Sequence, residues 1–205
     1  MSGVPGMTKT NNITPEQTVL LDSEAMAKHI ARMAHEIVEQ VDDLEHLALL
    51  GILRRGVPLA ERIAEHIEVL TKIKPPVGSL ATVLYRDDAG LAAAMVASKG
   101  HTYFDFNVDG RIIILVDDVL AAGRTIRSAM DEVMDYGRPT KIELACLVDR
   151  GGRELPIQAD YLGWAIATDQ HEWVHVKLNE LDGEDVVILE RRSVPDANEG
   201  VGQGD

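Results

Sequence analysis

Val116-Asp117-Asp118-Val119-Leu120-Ala121-Ala122-Gly123-Arg124-Thr125 is the stretch on which the reading of the fold turns. It is entered from Arg111-Ile112-Ile113-Ile114-Leu115, an apolar run without alternation, as expected of a central strand buried on both faces. It leads into Ile126, Ala129, Met130, Val133 and Met134, which recur at helical spacing until Gly137 stops them. Strand, acid pair, small residues, glycine and helix start follow one another directly. A helix start offers unpaired N–H groups and the positive end of the helix dipole, so it can hold a phosphate. Gly123 lets the backbone turn tightly against such a group. Arg124 and Thr125 can add a charge and a hydroxyl donor, and two adjacent carboxylates can accept hydrogen bonds from vicinal hydroxyls. That combination suits a ribose 5′-phosphate.

Working outward, the spacing of Met26, Ile30, Met33, Ile37 and Val41 predicts a helix over Asp22 to Gln40, with Asp22 or Ser23 as its cap. Leu47 to Leu53 reads as a strand that runs into Arg54-Arg55-Gly56, followed by a helix with Pro58 in its first turn. Leu80 to Tyr85 is a further strand candidate, and residues 87–101 read as a loop. Tyr103 to Val108 alternates and reaches the turn Asp109-Gly110, as a strand would. Lys141 to Val148 reads as a strand that ends at Asp149-Arg150-Gly151. Trp173 to Leu178 and Val186 to Leu189 form a C-terminal β-hairpin about Asp182-Gly183.

The β-α-β order implies an α/β fold with a central, mostly parallel sheet flanked by helices. Ligands in such sheets bind beyond the carboxyl ends of the strands. Three charged loops fall there: Arg54-Arg55-Gly56, Asp117 to Thr125, and Asp149-Arg150-Gly151.

The 205 residues suffice for one domain, expected over residues 19–192, with residues 1–18 and 193–205 as disordered tails. A hydrophobic share of 45% and a charged share of 26% are ordinary for a soluble globular chain. No apolar run is long enough to cross a bilayer and no secretory signal stands at the N-terminus, so a cytoplasmic protein is expected. The single cysteine, Cys146, sits in an apolar run and reads as a core residue. A net charge of −14 repels nucleic acid on average, so an anionic substrate needs arginines gathered locally.

The loop resembles the phosphoribosyl pyrophosphate (PRPP) motif of the type I phosphoribosyltransferases. The surrounding chain is similar to the PyrR family, the pyrimidine operon attenuators and uracil phosphoribosyltransferases. The likeness runs through Gly51 to Gly56, Leu84 to Asp88, Val116 to Asp131, Gly137-Arg138-Pro139, Leu147 to Gly151 and Arg153 to Ile157. It implies a type I phosphoribosyltransferase fold with a small hood, and the conversion of uracil and PRPP to UMP and pyrophosphate with Mg²⁺. No protein group is expected to ligate that metal directly. The resemblance gives Asp117 and Asp118 the ribose hydroxyls and the positive charge that develops at the sugar. It gives Ala121, Ala122, Gly123, Arg124 and Thr125 the 5′-phosphate, and Arg54, Arg55 and Gly56 the pyrophosphate. Arg86, or the 87–101 loop, would close over the site. Asp149, Arg150 and Trp164 are candidates for the base, and Trp164 admits a purine as the alternative nucleobase. The family's assemblies imply a homo-oligomer.

Two departures from the family pattern matter. Ala122 stands where the motif carries threonine, which removes one hydroxyl donor to the phosphate, worth roughly 1 kcal/mol. Arg32 and His35 match the pattern for binding pyrimidine-operon mRNA, but Gln40, Gln158, Trp164 and Gln170 replace expected cations. Each lost cation weakens salt-dependent RNA binding, so this pattern disfavours the RNA activity. Separately, His171-Glu172-Trp173-Val174-His175 fits the zinc-protease pattern H-E-x-x-H. It lies in an alternating, strand-like segment, where residues four apart are about 13 Å from each other and share no metal.

Overall fold

The computed structural model describes residues 16–82 and 101–191. Arg86, residues 87–100 and the C-terminal tail lie outside them. The elements, in chain order, are β1 (Glu16–Leu21), α1 (Ser23–Gln40), β2 (Leu47–Ile52), α2 (Gly56–Thr71), β3 (Val77–Leu80), β4 (Ile112–Leu120), α3 (Arg124–Tyr136), β5 (Lys141–Asp149), β6 (Tyr161–Ala165), β7 (Glu172–Lys177), α4 (Asn179–Asp182) and β8 (Val186–Arg191).

Five strands form one sheet in the order β3-β2-β4-β5-β6, parallel at each of its four pairings. The unalternating apolar runs are explained by helices on both faces. On β2, Leu47 and Leu49 join the cluster under α1 and α2, while Ala48, Leu50 and Ile52 join the one under α3. On β4, Ile114 and Val116 divide from Ile113 and Leu115 in the same way. Helix α1 is capped by Asp22, whose carboxylate accepts the Ala25 N–H, and buries Met26, Ile30, Met33 and Ile37 as its spacing predicts. Gly56 begins α2 against β4, where a Cβ would come within 2.2 Å of the Val116 carbonyl oxygen. Cys146 is buried in β5.

The second sheet is the hood, three antiparallel strands in the order β1-β8-β7. Val176, Leu178 and Val187 seat it on the cluster formed by α1 and α2.

Several expectations are corrected. The N-terminal tail ends earlier than residue 18: Glu16 to Thr18 belong to β1, paired with Arg191, Glu190 and Leu189 of β8. That partner lies more than 170 residues away (|i−j| is 173 for Gln17 and Glu190), so no local pattern announces it. Strand β3 ends at Leu80, and of the strand expected over Leu80 to Tyr85, Ala81 and Thr82 are not in a strand while residues 83–85 lie outside the described residues. Tyr103 to Val108 forms no strand; Tyr103 makes one bridge to Ser79, while Phe104, Phe106 and Val108 pack onto the α3 face. Met134, expected inside, is 44% exposed. Strand β6 was not anticipated, because Gly163 interrupts its short apolar run.

Candidate active site

The carboxyl ends of β2, β4 and β5 open into a cleft of about 990 Å³ that the hood roofs. Its walls bring together Arg54, Arg55, Asp117, Asp118, Ala121 to Thr125 and Arg150. Gly56 is buried at the start of α2 directly behind the arginines.

The acid pair ends β4. Asp117 is buried at 7% exposure, and one of its carboxylate oxygens accepts the Asp118 N–H at 3.0 Å. The Asp118 carboxylate in turn accepts the Val119 N–H, also at 3.0 Å. Burial pushes the Asp118 carboxyl above its ordinary range, while a hydrogen bond with Asp117 and the nearby Arg55 charge oppose that rise. Beside Asp117 on the neighbouring strand β5, burial and the carboxylates of Asp117, Asp118 and Asp149 push the Cys146 thiol well up, which leaves it a packing residue.

The loop after the acids is held from outside. The Ala121 carbonyl accepts from Arg153 Nη1 at 2.7 Å, and the Ala122 carbonyl accepts the Glu154 and Leu155 N–H groups at 3.1 and 3.2 Å. Arg153 is fixed by two further acceptors, the Ile157 carbonyl at 2.8 Å and the Asp149 carboxylate. A trans peptide sets its N–H opposite its C=O, so these contacts aim the Ala122 and Gly123 N–H groups away from the 153–157 segment. Among the described residues, those two N–H groups have no acceptor. Gly123 caps α3 at φ +93°, in the left-handed region that favours glycine. Arg124 pairs with Glu154, so it is not simply presented to the cleft.

At the opposite wall, the Leu53–Arg54 peptide is cis. Arg54 is exposed, whereas Arg55 reaches the Asp182 carboxylate of the hood through Nη2 at 2.9 Å and Nε at 3.3 Å. Asp182 and other hood residues of this wall, among them Gln17, Trp173, His175, Lys177 and Glu190, were not identified from sequence as site residues. Gln17 donates to Glu190 at 3.3 Å, and His175 lies 3.6 Å from the same carboxylate. The alternation of β7 was legible, but which ligand its side chains would face was not.

Of the base candidates, Arg150 lines the cleft and Asp149 braces it through Gly151 and Arg153. Trp164 corrects the expectation: it is not among the lining residues and packs, half-buried, against the cluster under α1 and α2. His171 precedes β7 and His175 lies within it, and the intervening Glu172 is committed to Arg191. Among the described residues no group of three or more His, Cys, Asp or Glu could hold a metal ion.

The phosphoribosyl transferase domain model matches residues 16–182. A Clostridioides difficile protein named bifunctional protein PyrR is 48% identical over 174 residues, which cover 85% of this chain and 98% of that one. One of the same name from Picosynechococcus is 51% identical over 170 residues, covering 83% and 95%. This chain belongs to the PyrR family.

Among solved structures, a hypoxanthine phosphoribosyltransferase of Trypanosoma cruzi in a ternary substrates complex superposes with a TM-score of 0.64 at 18% identity, over 85% of this chain and 95% of that one. A hypoxanthine-guanine phosphoribosyltransferase of Bacillus anthracis gives 0.62 at 18%, over 88% and 100%. The fold of this PyrR-family chain is therefore that of the type I phosphoribosyltransferases. Arg32 and His35, which match the family's RNA pattern, lie on the exposed side of α1 away from the cleft. Arg32 is spent on the Leu162 and Gly163 carbonyls, at 2.8 and 2.5 Å, and on Glu36. No helix among the described residues is long and apolar enough to cross a membrane.

Proposed function

We propose that this PyrR-family chain transfers the phosphoribosyl group of PRPP to uracil, giving UMP and pyrophosphate. The observation that carries the reading is the opposition of two walls in one cleft: an acid pair with outward-braced amides on one side, an arginine pair on the other. The amides of Ala122 and Gly123 with the start of α3 suit the 5′-phosphate. Asp117 and Asp118 suit the ribose hydroxyls, and their charge favours the positive character that develops at the sugar as the bond to pyrophosphate breaks. Arg54 and Arg55 suit the departing pyrophosphate, so no nucleophilic side chain is needed.

Mg²⁺ fits this donor set as a substrate-borne ion. Mg²⁺ would ride on the substrate's phosphates and keep several waters, with Asp117 and Asp118 engaged by the ribose hydroxyls rather than by the ion. When bound, it neutralises charge on the diphosphate. Uracil follows from the resemblance to the PyrR family, and Trp164, the residue that made a purine the alternative, is not among the residues that line the cleft. Arg86, which lies outside the described residues, retains its proposed role of closing over the diphosphate.

Purified protein with Mg²⁺, PRPP and a panel of uracil, hypoxanthine and guanine tests the reading. UMP is the expected product, and a panel that yields no nucleotide refutes it. The second reading, binding of pyrimidine-operon mRNA, is favoured by the word bifunctional in the relatives' names. The contacts that occupy Arg32 count against it. A gel shift over a salt series decides, since phosphate-driven binding weakens steeply with salt. A homo-oligomer is proposed with the family, and light scattering measures it.

A further inference from the structure

The turn between the two C-terminal hood strands is fastened to α2 more firmly than a surface turn requires. Arg62 of α2 places its guanidinium between two carboxylates, with Nε and Nη2 at 2.8 and 2.7 Å from Glu180 and Nη2 and Nη1 at 2.8 and 3.1 Å from Asp185. Asp185 also accepts the Asn179 N–H at 2.8 Å, which closes the turn on itself. Asp182 stands between the two acids that Arg62 holds. One of its oxygens accepts the Leu178 N–H at 2.9 Å, so the carboxylate is fixed in direction before it meets its arginine. The arginine it meets is Arg55, 127 residues away in the chain and in the loop that faces the acid pair.

We infer that Asp182 is a positioning residue for the pyrophosphate end of the site, acting through Arg55. The inference rests on the PRPP reading above. Asp182 takes the Nε and Nη2 edge of the guanidinium. The Nη1 edge has no partner among the described residues, and both Arg55 and Asp182 line the cleft. An arginine side chain left to itself samples many rotamers, and ordering it on binding subtracts from affinity. The anchored carboxylate removes that cost in advance and turns two free donors toward the ligand. Charge is consistent with this assignment: burial works against an ionised Asp182, yet the Leu178 N–H and Arg55 together hold its carboxyl below the ordinary range.

Asp182→Asn keeps an acceptor for the Leu178 N–H while removing the charge that fixes Arg55. In steady-state assays with Mg²⁺, PRPP and uracil, it is expected to raise KM for PRPP and the inhibition constant of pyrophosphate about tenfold. KM for uracil and kcat should stay within about threefold. A merely structural role would not give that split. Repeating the substitution in an Arg55→Gln background supplies the second readout: if Asp182 acts through Arg55, the additional effect there should vanish. A pyrophosphate constant within about twofold of the parent, or an undiminished effect in the Arg55→Gln background, overturns the inference. Should Asp182→Asn fail to fold, Asp182→Ser, which also removes the charge and keeps an oxygen that can accept a hydrogen bond, is read by the same criteria. Failure of the underlying reading looks different, because the parent protein would then neither bind PRPP in calorimetry nor turn it over.

Discussion

The two walls of the cleft are built by different means. The wall proposed for the phosphate is contiguous: Asp117 to Thr125 contains the acid pair, the turn and the helix start, with backbone amides as its proposed donors. The wall proposed for the diphosphate is assembled from distant segments, with Arg55, between β2 and α2, held by Asp182 of the hood. A contiguous wall keeps its geometry as long as one strand-to-helix turn is kept. An assembled wall depends on how the hood sits on the core, so it can be disturbed by substitutions far from the ligand. The first wall should therefore fail locally and chemically, the second by loss of alignment.

The largest effect is expected at the acid pair. Asp118→Asn removes charge where positive character develops at the sugar, and kcat should fall on the order of 10²–10³-fold. The same substitution should stabilise the fold. Burial raises the Asp118 carboxyl in the folded protein, so the stability it contributes is full below the unfolded value and is lost as pH rises through the higher folded one. Thermal unfolding at pH 7 to 8 should give a higher Tm for Asp118→Asn than for the parent, with the difference shrinking toward pH 4. An equal or lower Tm at neutral pH contradicts the assignment.

This difference between the walls also decides what was legible in the sequence. The phosphate wall could be read because its strand, acids, glycine and helix stand in one run and each has a local cause. Helix α1 was legible for the same reason, its buried face falling at regular steps from Met26 to Ile37. The hood was not. Strand β1 acquires its role from pairing with β8 at the other end of the chain, and Asp182 looked only like a turn residue. Trp164 was misplaced because a half-buried aromatic near a strand end has the same appearance in sequence whether it faces a ligand or the core. The alternation at Tyr103 to Val108 misled likewise: Phe104 and Phe106 stack at 5.1 Å on the α3 face without a strand partner.

Next in size is Gly123→Ala. A Cβ there would meet Ile157 at 3.4 Å, so space is not the main objection. The objection is φ of +93°, which costs a non-glycine residue about 1–3 kcal/mol. KM for PRPP should rise about tenfold or more while KM for uracil holds, since the loop would relax at the expense of the amide directions. If both constants rise together, the loop is not dedicated to the phosphate.

The smallest effect is also the most diagnostic of how the phosphate wall works. Ala122 stands where the family's motif carries a threonine, yet the loop around it is braced by Arg153 and by the Glu154 and Leu155 amides. If the backbone supplies most of the grip, restoring the hydroxyl adds only one donor to a cradle already aimed. Ala122→Thr should then lower KM for PRPP about fivefold at most, matching roughly 1 kcal/mol for one hydrogen bond, with kcat unchanged. A fall of about a hundredfold would mean that the side chain, not the braced amides, carries the phosphate. In that case the contiguous wall would depend on its side chains as much as the assembled one does. The contrast between them would then lie in how they are built, not in what they offer the ligand.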